Sequence, residues 1–192
     1  MDGEPVGEPV KFTPDDRGKL QLPSFADQIA PGEHTLSVRM KDGSRMPYSI
    51  HLTYSTPKPV SGDRSETGMD VSLTEENVSE GDPLEARVTV TNRTDEKIHI
   101  PVAVVGLLGG LELRHKALKD LVRSGNIASY ETMGRELVLY WRGMNPGAKT
   151  EVNVPLKATV PGTYTGPASR SYLYYDDEHR QWNDPLKVEV TK

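Results

Sequence analysis

Leu84–Asn92 reads LEARVTVTN, with Leu84, Ala86, Val88 and Val90 alternating with polar neighbours. A period of two is the mark of a strand with one face buried. Ile98–Val105 predicts a second, more apolar strand, with Pro101 placing part of it at an edge or bulge. Glu112–Arg123 then sets Leu113, Ala117, Leu118 and Leu121 at helical spacing. Gly125-Asn126 stops that helix, since glycine takes a positive φ at the helix end without a Cβ penalty. Arg123 in the last turn suits the negative helix end. Met133–Trp141 returns to strand. The pattern is a sheet interrupted by one helix.

Outward from this centre, short strands and turn signals alternate. Met69–Leu73 opens the region, and the loop Asn77–Pro83 leads into Leu84. Ala128–Thr132 and Arg135–Trp141 join tightly at Gly134. Asn145-Pro146-Gly147 is a strong turn. Thr150–Ala158 alternates Val152, Val154, Leu156 and Ala158, and Val160–Thr165 is broken by Pro161 and Gly162. Arg170–Tyr175 is aromatic-rich, Asp176-Asp177-Glu178 reads as a polar apex, and Leu186, Val188 and Val190 close the sheet. Many short strands with frequent turns predict an all-β antiparallel sandwich over residues 66–192, with one inserted helix.

Residues 1–65 read differently. Val6–Phe12 and Lys19–Leu22 are candidate short strands around the turn Pro14–Gly18. His34–Lys41 alternates Leu36, Val38 and Met40. Pro47–Tyr54 alternates Tyr48, Ile50, Leu52 and Tyr54, and Asp42-Gly43 between them is a tight-hairpin signal. These runs predict a small antiparallel β unit preceding the sandwich. Ser55–Gly68 is rich in Ser, Thr, Pro and Gly without periodicity and marks the domain boundary, as a hinge or an ordered crossing.

Composition narrows the function. The 192 residues hold 23 basic and 28 acidic side chains, a net charge of −5, and no basic run. That weighs against nucleic acid, whose backbone requires clustered Lys and Arg. Cysteine is absent, which removes disulfides, thiolate metal sites and a cysteine nucleophile. No apolar run spans a bilayer, and Met1–Glu8 is too polar for a signal peptide. Either the protein is cytosolic or the chain is a piece of a larger one, and the resemblance given below favours the piece.

Chemistry-bearing motifs are sparse. His34, His51, His99, His115 and His179 contain no HExxH pair. No GxSxG elbow is present. Gly106–Gly110 resembles a phosphate cradle only in glycine content and reads as a close backbone crossing. Asp176, Asp177, Glu178 and Asp184 carry hard oxygen ligands but lack the spacing of a calcium loop, so they predict a solvated tip. Asn77-Val78-Ser79 and Asn92-Arg93-Thr94 match the N-glycosylation pattern in predicted loops. Arg114, His115, Lys116 and Lys119 crowd one helical turn, and His115 and Lys119 share a face. His115, Lys116 and Lys119 are therefore the candidate partner-binding residues. No pair of titratable groups is set for acid–base work, so neither enzyme nor cofactor is expected.

Val102–Glu112 (VAVVGLLGGLE), the helix after it, and Tyr172–Glu178 (YLYYDDE) resemble the C-terminal part of the α2-macroglobulin family. The resemblance covers roughly Met69–Lys192. It implies the macroglobulin-type sandwich with one helix beside it that is called the receptor-binding domain. Residues up to about Thr56 look like the returning half of the CUB domain, which the thioester domain splits in two. The expected organisation is 1–65, a partial CUB-like unit and linker, and 66–192, the sandwich. Family members trap proteases. A protease cuts a bait region, and the conformational change uncovers a Cys–Gln thioester. This chain has no Cys-Gly-Glu-Gln, so that chemistry would lie upstream. In vertebrate members two lysines one turn apart on the helix contact an endocytic receptor, and superposing the helices puts them at His115 and Lys119. A neutral histidine does not replace an ammonium, so docking against the rest of the inhibitor is the implied role.

The resemblance thus implies a non-catalytic C-terminal module of a broad-spectrum, bacterial-type protease inhibitor. Its partners would be the other domains of the full-length protein and, through it, proteases. Its location would be extracellular or periplasmic, either free or attached to the cell envelope through the full-length protein. The first β unit, lacking the other half of its domain, is expected to be either loosely ordered or covered by self-association. The alternative is a stand-alone extracellular or periplasmic binding or adhesion module.

Overall fold

A computed structural model describes residues 1–43 and 45–192. The chain divides into two compact units, Met1–Thr53 and Tyr54–Lys192.

In the first unit the described residues form no strand and a single short 3-10 turn, Ala26–Gln28. The small antiparallel β unit predicted from Val6–Phe12, Lys19–Leu22, His34–Lys41 and Pro47–Tyr54 is therefore corrected. The turn chemistry is present, with φ of 56° at Asp42 and 128° at Gly43. Ser44, the last residue of the expected hairpin turn, lies outside the described residues. The ladder does not form because its apolar face has no cover: Val38, Met40, Ile50 and Leu52 are all exposed. An isolated pair of strands with nothing against it is marginal in water. The unit is tied instead by Asp2, whose carboxylate meets the His34 ring and accepts from the Thr35 N–H, each at 2.7 Å.

The second unit contains fourteen strands and one α-helix: β1 (Thr67–Leu73), β2 (Asn77–Ser79), β3 (Pro83–Asn92), β4 (Ile98–His99), β5 (Pro101–Gly106), β6 (Leu111–Leu113), α1 (His115–Arg123), β7 (Ser129–Met133), β8 (Glu136–Tyr140), β9 (Gly143–Met144), β10 (Lys149–Ala158), β11 (Gly162–Thr165), β12 (Ser169–Leu173), β13 (Asp176–Asn183) and β14 (Lys187–Thr191). One sheet runs β1-β3-β10-β6 and a second β13-β12-β5-β8-β7, both antiparallel. A third, β11-β14-β2, pairs β14 with β2 in parallel, and β4-β9 is a two-stranded pair. Ala86, Val88 and Val90 of β3 and Val152 and Val154 of β10 meet Ala103, Val105, Leu137 and Leu139 of the five-stranded sheet in one core. The alternation read in Leu84–Asn92 and Thr150–Ala158 is the inner face of this sandwich.

Three local departures have physical causes. The strand Ile98–Val105 is broken at Ile100, whose φ is 49°, an unfavourable conformation for a β-branched residue. It is held by its N–H to Arg142 O and by Tyr174 N–H donating to its carbonyl. The break transfers the chain from the β4-β9 pair into the five-stranded sheet. Next, the helix begins at His115 rather than Glu112, because Leu111–Leu113 is captured as β6, with Leu113 opposite Leu156 of β10. Its end is as expected: Gly125 has φ 79°, and the Gly125 and Asn126 N–H groups bond to Val122 O and Leu121 O, a Schellman closure. Finally, the acidic apex is displaced. The reversal occurs at Tyr174-Tyr175, and Asp176 already belongs to β13, opposite Leu173.

The segment before β1 runs along β13. Gly62 N–H donates to Arg180 O and Trp182 N–H to Ser61 Oγ, both at 2.9 Å, and Lys58 meets Asp184 at 2.8 Å. These bonds occupy an edge that would otherwise offer free N–H and C=O groups. No helix among the described residues is long and apolar enough to cross a membrane.

Candidate interaction surfaces

The helix α1 presents the first surface. Leu118 is fully buried, Leu121 and Val122 pack partly against the core, and His115, Lys116 and Lys119 are exposed. The apolar spacing dictates this: Leu118, Leu121 and Val122 occupy one stripe, Lys116 and Lys119 lie off it, and His115 borders it in the first turn. Arg123 pairs with Asp120 at 2.9 Å. What remains is an exposed basic cluster of Arg114, His115, Lys116 and Lys119, to which no acidic side chain among the described residues is bonded.

The acidic residues do not converge. Asp176 meets His179 at 2.7 Å, Asp177 meets Arg180 at 2.7 Å, and Asp184 meets Lys58. Asp176, Asp177 and Asp184 each have a separate partner, and Glu178 is exposed. Among the described residues no three His, Asp or Glu side chains are grouped to hold a metal.

The outer face of the five-stranded sheet was not singled out by sequence reasoning. Val102, Val104 and Val138 lie on the side away from the main core yet are at most 1% exposed. Their cover is a layer of long side chains from β8, β12 and β13. Arg170 grips Glu136 through two hydrogen bonds and lies over the Trp182 ring, 5.3 Å from its centroid. Arg180 lies over Tyr172 at 5.7 Å. Tyr140 and Tyr172 pack on the valines. Burial raises the pKa of both hydroxyls, with the nearby Glu131 carboxylate adding to the effect at Tyr140. Beyond Tyr140, the Tyr174 ring lies at 6.4 Å and meets the Tyr175 ring edge-on at 5.1 Å. A shallow depression lined by Ile100, Ser129, Tyr140, Trp141, Arg142 and Tyr174 opens beside them. The four consecutive apolar residues Val102–Val105 were the available signal, since a strand buried on both faces reads as a continuous run.

The glycine-rich segment is structural. A Cβ at Gly106 would collide with the Pro167 backbone, and one at Gly109 with the Tyr164 ring. Of the two glycosylation patterns, Asn92 is buried, with its amide donating to the Glu96, Met144 and Asn145 carbonyls. Asn77 is exposed on β2.

No family model and no curated protein matches the chain. Solved structures do. A Salmonella alpha-2-macroglobulin mutant, Y1175G, shares 18% identity over 72% of this chain and 10% of its own, with a TM-score of 0.55. Escherichia coli alpha-2-macroglobulin activated by porcine elastase shares 15% identity over 69% of this chain and 14% of its own, with a TM-score of 0.53. Native E. coli alpha-2-macroglobulin spanning domain MG7 to the C-terminus shares 14% identity over 68% of this chain and 24% of its own, again with a TM-score of 0.53. The chain thus spans about a tenth to a quarter of the proteins it resembles, and the likeness is one of fold.

Proposed function

We propose that the chain is a non-catalytic module from the C-terminal end of a macroglobulin-like, broad-spectrum protease inhibitor. The sandwich of residues 66–192 takes the place of the receptor-binding domain, and residues 1–65 that of the returning half of a CUB domain with its linker. The observation that carries this reading is the fold likeness to bacterial alpha-2-macroglobulins, one of which begins at domain MG7 and ends at the C-terminus. The exposed basic face at His115, Lys116 and Lys119 serves as a docking surface for another domain of the same protein. An extracellular or periplasmic location follows from the same reading.

The size of the native product tests this. Antibodies raised against the chain are expected to detect, in the envelope or secreted fraction of its source, a polypeptide several times longer than 192 residues. A band of about the chain's own length (21.2 kDa) would contradict the reading and favour a stand-alone binding or adhesion module.

A further inference from the structure

Arg45–Thr56 runs without a turn, bend, ladder or positive φ. Within it lies Tyr48-Ser49-Ile50-His51-Leu52-Thr53-Tyr54, whose residue classes read alike in both directions about His51. Its alternate side chains Tyr48, Ile50, Leu52 and Tyr54 are 73%, 51%, 54% and 67% exposed. Among the described residues this apolar segment joins no ladder, and an unpaired run of alternating apolar side chains is a template for another chain. A second copy in antiparallel register about a twofold axis at His51 supplies a matched partner at every position. Tyr48 faces Tyr54, Ile50 faces Leu52 and Ser49 faces Thr53, with His51 facing its own counterpart. Aromatic pairs, aliphatic pairs and hydroxyl pairs are the combinations that stabilise antiparallel ladders, and the same patch on both subunits is what a twofold interface requires.

We propose that the 192-residue chain forms a homodimer in which Tyr48–Tyr54 pairs antiparallel with Tyr48–Tyr54 of a second copy, centred on His51. All eight apolar side chains then share one face, where each contacts its cross-strand neighbour. A foreign strand would need the same pattern by coincidence, whereas the second copy carries it by construction. The inference concerns this chain alone and does not rest on the terminal-module reading. Upstream polypeptide in a longer protein would compete for the same strand.

The absence of cysteine makes the register directly measurable. Residues directly opposite in such a pair lie about 4.5–5.5 Å apart between Cα atoms, within the reach of a disulfide. His51→Cys is therefore expected to cross-link to itself under mild oxidation. Ser49→Cys alone would sit about 13 Å from its counterpart, four residues along the ladder, and is expected to yield at least tenfold less dimer. Ser49→Cys with Thr53→Cys restores the yield. Sedimentation of the unmodified full chain is expected to rise with concentration, and Ile50→Asp to weaken association at least tenfold. A concentration-independent monomer overturns the proposal. Equal cross-linking at positions 49 and 51, or association indifferent to Ile50→Asp, overturns the pairing.

Discussion

Arg170 and Glu136 are joined by two parallel hydrogen bonds of 2.6 and 3.1 Å across the outer face of the five-stranded sheet, with their side chains only 17% and 25% exposed. They come from β12 and β8, on either side of β5, with Arg170 in register with Val104 and Val138. A bidentate carboxylate–guanidinium pair is among the stronger polar contacts available to a protein. Removing one partner leaves the other shielded from water and unpaired. Glu136→Ala is expected to cost about 2 kcal/mol, between the values for fully exposed and fully buried pairs. Arg170→Met, which keeps the packing over Trp182, should cost less. Urea denaturation of both variants and of the double variant measures the coupling. Additive losses would mean the pair contributes nothing of its own.

The helix makes a second prediction. Leu118 lies wholly in the core and Leu121 only partly. Leu118→Ala is expected to cost about 3 kcal/mol through lost transfer energy and the cavity left behind, and Leu121→Ala less. Lys119→Ala should change stability by under about 0.5 kcal/mol. A Lys119 change costlier than that of Leu118 would reverse the assigned faces.

Asn92 makes a third. Its amide donates to the Glu96, Met144 and Asn145 carbonyls, and its carbonyl accepts from the Thr94 backbone and hydroxyl. One side chain thus ties the end of β3 to two loops. Asn92→Ala is expected to cost about 3 kcal/mol, since it strands several buried polar groups at once. An unchanged denaturation midpoint would show that water replaces all of these bonds.

The tyrosines carry a pH prediction. Burial raises the folded-state pKa of Tyr140 and Tyr172 above the ordinary tyrosine value. Folding therefore favours their neutral form. The associated stability is complete below about pH 10, where unfolded tyrosine ionises, and is lost as pH rises from there through the folded values. Absorbance at 295 nm should show a late-ionising component that Tyr140→Phe and Tyr172→Phe each diminish. A single ordinary titration would contradict it.

What was legible in the sequence is what depends on local period. The alternations of Leu84–Asn92 and Thr150–Ala158 and the spacing of Leu118 and Leu121 name faces that the fold buries. The grouping of His115, Lys116 and Lys119 on one exposed side follows from the same spacing. Equally clean alternation at His34–Lys41 and Pro47–Tyr54 forms no ladder within the chain. A pattern states that a face is fit for burial, not that something exists to bury it. Conversely, Asp176–Asn183 (DDEHRQWN) has no apolar period and is nevertheless a strand, because β12 pairs it on one side and Ser61 and Gly62 bond it on the other. Arg170 and Glu136 are 34 residues apart, and only the sheet order brings them together.

The claim that this chain is the terminal module of a macroglobulin-like inhibitor meets its most direct test in the native gene product challenged with elastase. The account predicts an early cut outside the 192 residues, followed by a faster-sedimenting form that retains the protease, with this chain intact within it. A product that elastase merely degrades, with no change of shape and no retained protease, would contradict it.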